Sequence, residues 1–423
     1  MDLEIPVPHL KTVHSGPLHP IEALLLDNVA AIEAWFRNQW AKTKPIITSS
    51  VDLRHSGLKL APVDTNLFPA GFNNINPDFL PLCIQAAQSV LVNYLPSCTK
   101  ILLIPETHTR NTFYAKSLSV LLDILQKAGF VVRLGHMEPH DTTLSIPLSD
   151  NEALMLYPVI RQDDKLALKD FSPCIIMLNN DLSAGVPDIL KGLKQTVMPP
   201  SHLGWDTRLK SGHFKHYDDV AKDFANLLGF DDWLINPYFT AVSDVDFMAM
   251  QGLEPLAAAV DTILAKIRAK YERYGITEKP FVVVKADNGT YGMSVMSVYD
   301  GQEILALNRK SRTKMSASKG QQTVHRVLVQ EGVYTFETMD DGAVAEPVVY
   351  MIGQYVIGGF YRVHKSRGKA ENLNAPGMHF EPLAFVEPCN MPRHELDAGA
   401  CQNRFYAYGV IARLAALAAA REQ

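Results

Sequence analysis

Apolar and polar positions along the 423 residues change rhythm twice. From residue 23, ALLLDNVAAIEAWFRNQW places its apolar residues at helical spacing, which predicts a mostly helical leading segment over 1–45. The pattern then dissolves: SSVDLRHSGLKLAPVDTNLFPAGFNNINPD (49–78) is dense in Pro, Gly and Asn and reads as a long polar loop. KILLIP (100–105), a helical stretch from Tyr114 to Ala128 and FVVRLG (130–135) form a β-α-β unit, which predicts parallel strands in an open α/β sheet. CIIMLN (174–179) reads as a further strand, and LSAGVPDILKGL after it as loop and helix. MPPSHLGWDTRLKSGHFKHYDD (198–219) reads again as loop.

A strong amphipathic helix follows from Leu253 to Tyr274, and the rhythm then turns to strands: FVVVK (281–285), SVMSVY (294–299), HRVLVQEGV (325–333) and PVVYMIGQYVIGGFYRV (347–363). The last is a hairpin turning at Gly353–Gln354, and a helix from about Asn403 to Arg421 closes the chain. Residues 1–235 therefore read as an α/β part with long polar loops, and 236–423 as a strand-rich α+β part.

Composition narrows the function classes. A 47% apolar and 20% charged chain supports a full core. A net charge of −5 argues against nucleic acid as the main partner, although Lys310, Arg312, Lys314 and Lys319 make a local basic segment. The beginning, MDLEIPVPHL, lacks the basic flank and apolar run of a secretory signal. The most apolar run, Tyr406 to Ala420, carries Arg413 and reads as an amphipathic helix rather than a membrane span. Five scattered cysteines (Cys83, Cys98, Cys174, Cys389, Cys401) form no C-x-x-C pair and read as reduced thiols of a cytoplasmic protein. His202, His213 and His216 match no common zinc spacing.

The chemistry concentrates in VVVKADNGTYGMSVMSV (282–298), where a strand ends in Lys285 and Gly289, Thr290 and Gly292 punctuate the following loop. Small residues let backbone N–H groups approach phosphate oxygens, and the ammonium offsets their charge. This is not a Walker A loop, and alone it reads more readily as an ordinary glycine turn than as a phosphate loop. In LVQEGV (328–333), Gln330, Glu331 and Val333 end an apolar strand whose backbone edge suits adenine and whose carboxylate suits a ribose. GGFYRVHKSRGKAENLNAPGMHF (358–380) then brings Arg362 off a strand, followed by Asn372, Asn374 and Gly377. An arginine can clamp a phosphoryl group, and carboxylate or amide oxygens of Glu371 and Asn374 suit Mg²⁺.

The order strand-Lys-Gly loop, Q-E-G-V, then R…N-L-x-A-x-G resembles the ATP-grasp ligases, and its last part the bacterial glutathione synthetases. With SVDLRHSGLKLAPVDTNLFPAGFNN (50–74), RTKMSASKG (312–320) and VQEGVYTFE (329–337), nearly the whole chain resembles a proteobacterial glutamate–cysteine ligase family. The resemblance implies an ATP-grasp-like fold, with strand-rich subdomains gripping ATP. It implies ATP and Mg²⁺ as cofactors and L-glutamate and L-cysteine as substrates, joined through γ-glutamyl phosphate as in the first step of glutathione synthesis.

Lys285 and Arg362 are then the expected catalytic residues. For glutamate, two loops remain candidates: 52–74, with Asp52, Arg54, Asp64, Asn66, Asn73 and Asn74, and 201–216, with Arg208, Lys210 and Lys215. Other ATP-grasp ligases and a non-catalytic ATP sensor are the alternatives. KMSASKG (314–320) looks like the KMSKS loop of class I aminoacyl-tRNA synthetases, but HSGL (55–58) and HLGW (202–205) both lack the second His that those enzymes need. Oligomeric state is not legible.

Overall fold

The computed structural model describes residues 10–13, 16–106, 111–149, 151–288, 294–316, 323–385 and 403–423. Helices α1 (Pro20–Asp27) and α2 (Val29–Trp40) lead into strands β1 (Thr48–His55) and β2 (Leu60–Asn66). After α3 (Leu80–Tyr94) come β3 (Lys100–Pro105), α4 (Thr112–Lys127), β4 (Val131–His136), β5 (Leu144–Ser149), β6 (Glu152–Pro158), β7 (Ile175–Asn179) and β8 (Thr196–Met198). Next are α5 (Lys210–Leu228), β9 (Phe239–Ser243), α6 (Leu253–Tyr274), β10 (Val282–Ala286), β11 (Val295–Val298) and β12 (Arg326–Glu331). The chain closes with β13 (Val344–Ile352), β14 (Tyr355–His364), β15 (His379–Pro382) and α7 (Phe405–Ala420).

Three sheets carry these strands. The first, ordered β8-β7-β3-β4-β6-β5, is parallel except for its β5–β6 edge, as the β-α-β pattern predicts. The second, β9-β12-β10-β11, is antiparallel and packs on α6. That helix buries Leu253, Leu256, Val260, Ile263, Leu264, Ile267 and Tyr271 along one stripe and ends at Gly275, whose φ of 67° is the left-handed C-terminal cap. The third, β15-β14-β13-β1-β2, is antiparallel and joins strands from both ends of the chain. Helix α7, made largely of Ala and Leu, is buried nearly all round and contacts α5 and four elements of this sheet. The mixed α/β and α+β fold expected from the pattern is the one observed.

Four local expectations are corrected. Residues 49–78 are not a loop: β1 and β2 occupy much of the segment, and Arg54 and His55 within it are buried against partners elsewhere in the chain. The segment 198–219 contains the start of α5, a helix whose buried face includes Lys210 and His213 and so lacks an apolar stripe at its beginning. Residues 182–193 form only a 3-10 turn, Asp188–Leu190, and no α-helix. Cys98 and Cys174 are joined in a disulfide, not reduced thiols: they precede the neighbouring parallel strands β3 and β7, which brings residues 76 apart in sequence to a Cα–Cα distance of 5.6 Å. Cys83 is a buried free thiol, and Cys389 and Cys401 lie outside the described residues. Among the described residues, no helix is long and apolar enough to cross a membrane.

Candidate active site

The second and third sheets face each other across a cleft of about 690 Å³. One wall presents Val283 and Lys285 from β10, Val295 and Ser297 from β11, and Gln330 and Glu331 from β12. The other presents Asp52 and Arg54 from β1, Asp64 from β2, Glu346 from β13 and Arg362 from β14. Ala370, Glu371, Asn372 and Asn374 line it from the segment after β14.

The third sheet builds its wall by strand periodicity. Residues two apart share a face, so Asp52 and Arg54 point the same way, and Glu346 lies directly across from Arg362 in register. The result is a row of alternating charges: Arg54 Nε to Glu346 Oε2 at 2.9 Å, Arg362 NH1 to Glu346 Oε1 at 2.6 Å, and Arg362 NH1 to Asp52 Oδ2 at 2.9 Å. Burial pushes the Glu346 carboxyl upward, but Arg54 and Arg362 outweigh it and hold the group below its ordinary value. At Asp52 burial wins over Arg362, with Glu346 adding to it, and the pKa is raised. Arg54 also donates to the carbonyls of Val333 and Lys369, so one guanidinium ties the segment just after β12 to the segment after β14.

On the facing wall, Lys285 is buried at the end of β10. Its Nζ donates to the Val63 carbonyl at 2.6 Å and lies 5.5 Å from the centre of the Phe214 ring. Burial lowers its pKa to about 8, against the opposing pull of Asp64. Asp64 accepts from Lys210 Nζ at 2.6 Å; burial would raise its pKa, but Lys210 and Lys285 outweigh that and hold it well below the usual carboxylate range. Lys210 itself sits 4.2 Å from the Trp205 ring centre.

The sequence-derived candidates divide into those that meet in the cleft and those that do not. Lys285, Arg362, Gln330, Glu331, Val333, Arg54, Asp64, Glu371, Asn372 and Asn374 all line it. Gly289, Thr290 and Gly292 lie outside the described residues. Asn66 turns away into an Asx turn, accepting from Phe68 N at 3.0 Å. Arg208 is also away from the lining: it grips Glu422 with Nε at 2.8 Å and NH2 at 2.9 Å, and donates to the Thr65 carbonyl at 2.8 Å. Glu331 lines the cleft, but Trp233 Nε1, Tyr238 N and the Lys59 ammonium already occupy its carboxylate. Gln330, by contrast, is 2% exposed and its Nε2 has no hydrogen-bond partner among the described residues. Asp52 and Glu346 are the groups whose place in the site sequence reasoning underrated, and Lys59, which pairs with Glu331, is one it missed; an ion-pair partner hundreds of residues away leaves no periodic trace.

A cleft between two sheets, carrying paired cations and carboxylates, has the chemistry to hold small charged ligands. The profile of the glutamate–cysteine ligase family matches residues 22–423, and the chain belongs to that family. It is accordingly a ligase that forms γ-glutamylcysteine. A crystal structure of a candidate gamma-glutamylcysteine synthetase from Methylobacillus flagellatus KT is 55% identical, with a TM-score of 0.85 and 98% of each chain covered. A D-alanyl-alanine synthetase A from Vibrio cholerae O1 biovar eltor str. N16961 is a distant similarity: 12% identity, TM-score 0.31, covering 63% of this chain and 68% of that one. A glutathione synthetase-like effector from Globodera pallida is similarly distant: 8% identity, TM-score 0.38, covering 90% and 86%. No curated protein matches the chain.

The burial of Arg208 and Glu422 generates a stability test. Replacing Glu422 by Gln leaves a buried guanidinium without its counter-charge, which costs about 3–5 kcal/mol. Thermal unfolding of Glu422→Gln should show a clear fall in Tm; an unchanged Tm would contradict this account of the pair.

Proposed function

We propose that the cleft binds ATP along β10–β12 and L-glutamate against β1, β2 and β14, so that glutamate is activated as γ-glutamyl phosphate and captured by cysteine. The observation that carries this reading is the meeting, in one cleft, of Lys285 and the Gln330 amide, whose Nε2 has no partner among the described residues, on one wall with Arg362 and Asp64 on the other. A carboxylate is a poor electrophile. A γ-carboxylate oxygen bonds to the γ-phosphorus as the bond to the β-phosphate oxygen breaks and ADP leaves. The cysteine nitrogen then bonds to the carbonyl carbon, and the C–O bond to phosphate breaks.

Each residue has a task within that sequence. Lys285 and Arg362 offset the charge of the phosphoryl group in transfer. Gln330 offers its amide to the nucleobase edge. Asp64, held from behind by Lys210, accepts the glutamate ammonium. Arg54 keeps Val333 and the Asn372–Asn374 segment in place around the nucleotide.

The donor set suits Mg²⁺. Asp52, Asp64, Glu346, Glu371, Asn372 and Asn374 line the cleft, supplying the hard oxygens that this ion prefers. Among the described residues no three His, Cys, Asp or Glu gather into a metal cluster. A carboxylate or two would thus hold the ion together with the nucleotide phosphates. The side chain of Glu371 is engaged by Arg367 at 2.8 Å and Gly368 N at 2.6 Å, which makes Asn374 the freer of the two donors expected from the sequence. The bound ion supplies neutralisation of phosphate charge. ATP, glutamate and cysteine meet in the cytoplasm, the compartment this reading assigns.

Phosphate release from the purified protein, with Mg-ATP, glutamate and single amino acids in turn, tests the reading. Release with cysteine and a γ-linked dipeptide by mass spectrometry are expected; release only with a different amine would overturn the substrate assignment, and ATP binding without release would indicate a sensor. The lowered pKa of Lys285 adds a pH dependence. Its charge is present below about pH 8 and lost above it, so kcat/KM for ATP should decline as pH rises through about 8. Lys285→Arg should move that decline to higher pH; an unmoved decline would assign it to another group.

A further inference from the structure

Helix α5 begins without a local cap. The residue at its N-cap position is Leu209, which has no side-chain acceptor to offer, yet the first turn of any helix exposes backbone donors that need one. The acceptor arrives from 76 residues away: Asp287 Oδ1 accepts from Ser211 N at 2.7 Å, and its Oδ2 accepts from Ser211 Oγ at 2.7 Å. The Asp287 carbonyl also accepts from Lys210 N at 2.8 Å. Arg326 of β12 completes the arrangement, donating Nε to Asp287 Oδ2 at 2.6 Å. The Asp287 side chain is fully buried, and these donors are its hydrogen-bond partners.

The tie joins the strand that carries Lys285 to the helix that carries Lys210. Asp287 lies two residues beyond Lys285, at the end of β10. Ser211 lies one residue beyond Lys210, whose Nζ holds Asp64 at 2.6 Å. Lys285 reaches the same β2 strand from the opposite side, through the carbonyl of Val63 at 2.6 Å. Lys285 is fixed independently, since β10 is paired on both edges by β11 and β12. Lys210 is not in a sheet; its place depends on the first turn of α5, and therefore on Asp287.

We propose that Asp287 is a positioning residue for glutamate: by capping α5 from the end of β10, it sets Lys210, and through it Asp64, at the distance from Lys285 that a bound glutamate must span. The proposal rests on the reading of Asp64 as the acceptor of the glutamate ammonium. A local Ser or Asp cap would start the helix equally well, but it would leave the spacing between α5 and the Lys285 strand unset.

The test is steady-state phosphate release by the full-length protein, with glutamate varied at saturating ATP and cysteine. The variants are Asp287→Asn, Asp64→Asn and the double substitution. Asp287→Asn is expected to raise the glutamate KM about tenfold while the ATP KM stays within about twofold, and to add less than about twofold in the Asp64→Asn background. A fall in kcat with glutamate KM unchanged, or an equal rise in both backgrounds, would reduce Asp287 to a structural cap and overturn the proposal. If Asp64→Asn itself leaves the glutamate KM unchanged, the reading of Asp64 fails and the proposal falls with it; if Asp64→Asn raises KM and Asp287→Asn does not, the proposal alone fails. Ser211→Ala removes the hydroxyl's bond to Asp287 and its weaker one from Arg326, but keeps the Asp287–Arg326 ion pair, guarding against misfolding of Asp287→Asn. It should raise the glutamate KM about threefold, and no rise would count against the tie.

Discussion

Arg54, Glu346 and Arg362 are buried side by side along one wall of the cleft, with the half-buried Asp52 at the end of the row, and each is ion-paired to a neighbour in it. Taking an isolated ion out of water costs several kcal/mol, and removal of one member of a buried set leaves the remainder uncompensated. Two of the four come from near residue 50 and two from near residue 350, so the row can exist only when β1 pairs with β13 in the observed register, Asp52 opposite Val348. That pairing closes the third sheet and brings the beginning of the chain to the wall opposite Lys285. The charges make poor stabilisers and good specifiers: a slip of one residue would turn them to the opposite face.

The same constraint explains what could be read from the sequence. Helix α6 and strands β10 to β14 were legible because their buried faces are apolar at regular spacing and need no distant partner. Lys285 and Arg362 could be picked out because each is a charged residue within or at the end of such a strand. Strands β1 and β2 were hidden because their buried positions hold Arg54, His55 and Lys59 nearby, residues that look like loop until their partners are known. The start of α5 was hidden for a related reason: its cap, Asp287, stands outside any local window. Asn66 and Arg208 look like ligand-binding groups in the sequence, whereas in the structure they serve a turn and a buried ion pair.

Membership of the glutamate–cysteine ligase family and the shape of the cleft point the same way. A ligase that activates a carboxylate needs little covalent chemistry from its side chains; it needs charges placed where phosphate oxygens will be, and a fixed distance between the two substrates. In the proposed reading the second sheet supplies Lys285 from a strand paired on both edges, and the third supplies the charged row. Helix α5 bridges them through Lys210 and Asp287. The basic segment ending in KMSASKG belongs partly to a short helix, Arg309–Ser316, and the rest of that motif lies outside the described residues.

The central claim is that the γ-carboxylate of glutamate attacks the nucleotide within this cleft. Glutamate labelled with ¹⁸O in its γ-carboxylate tests it directly, with mass analysis of the phosphate released as cysteine is joined. The account predicts one ¹⁸O atom in each phosphate, carried over when the C–O bond of γ-glutamyl phosphate breaks. Unlabelled phosphate, formed at the same rate as dipeptide, would contradict it.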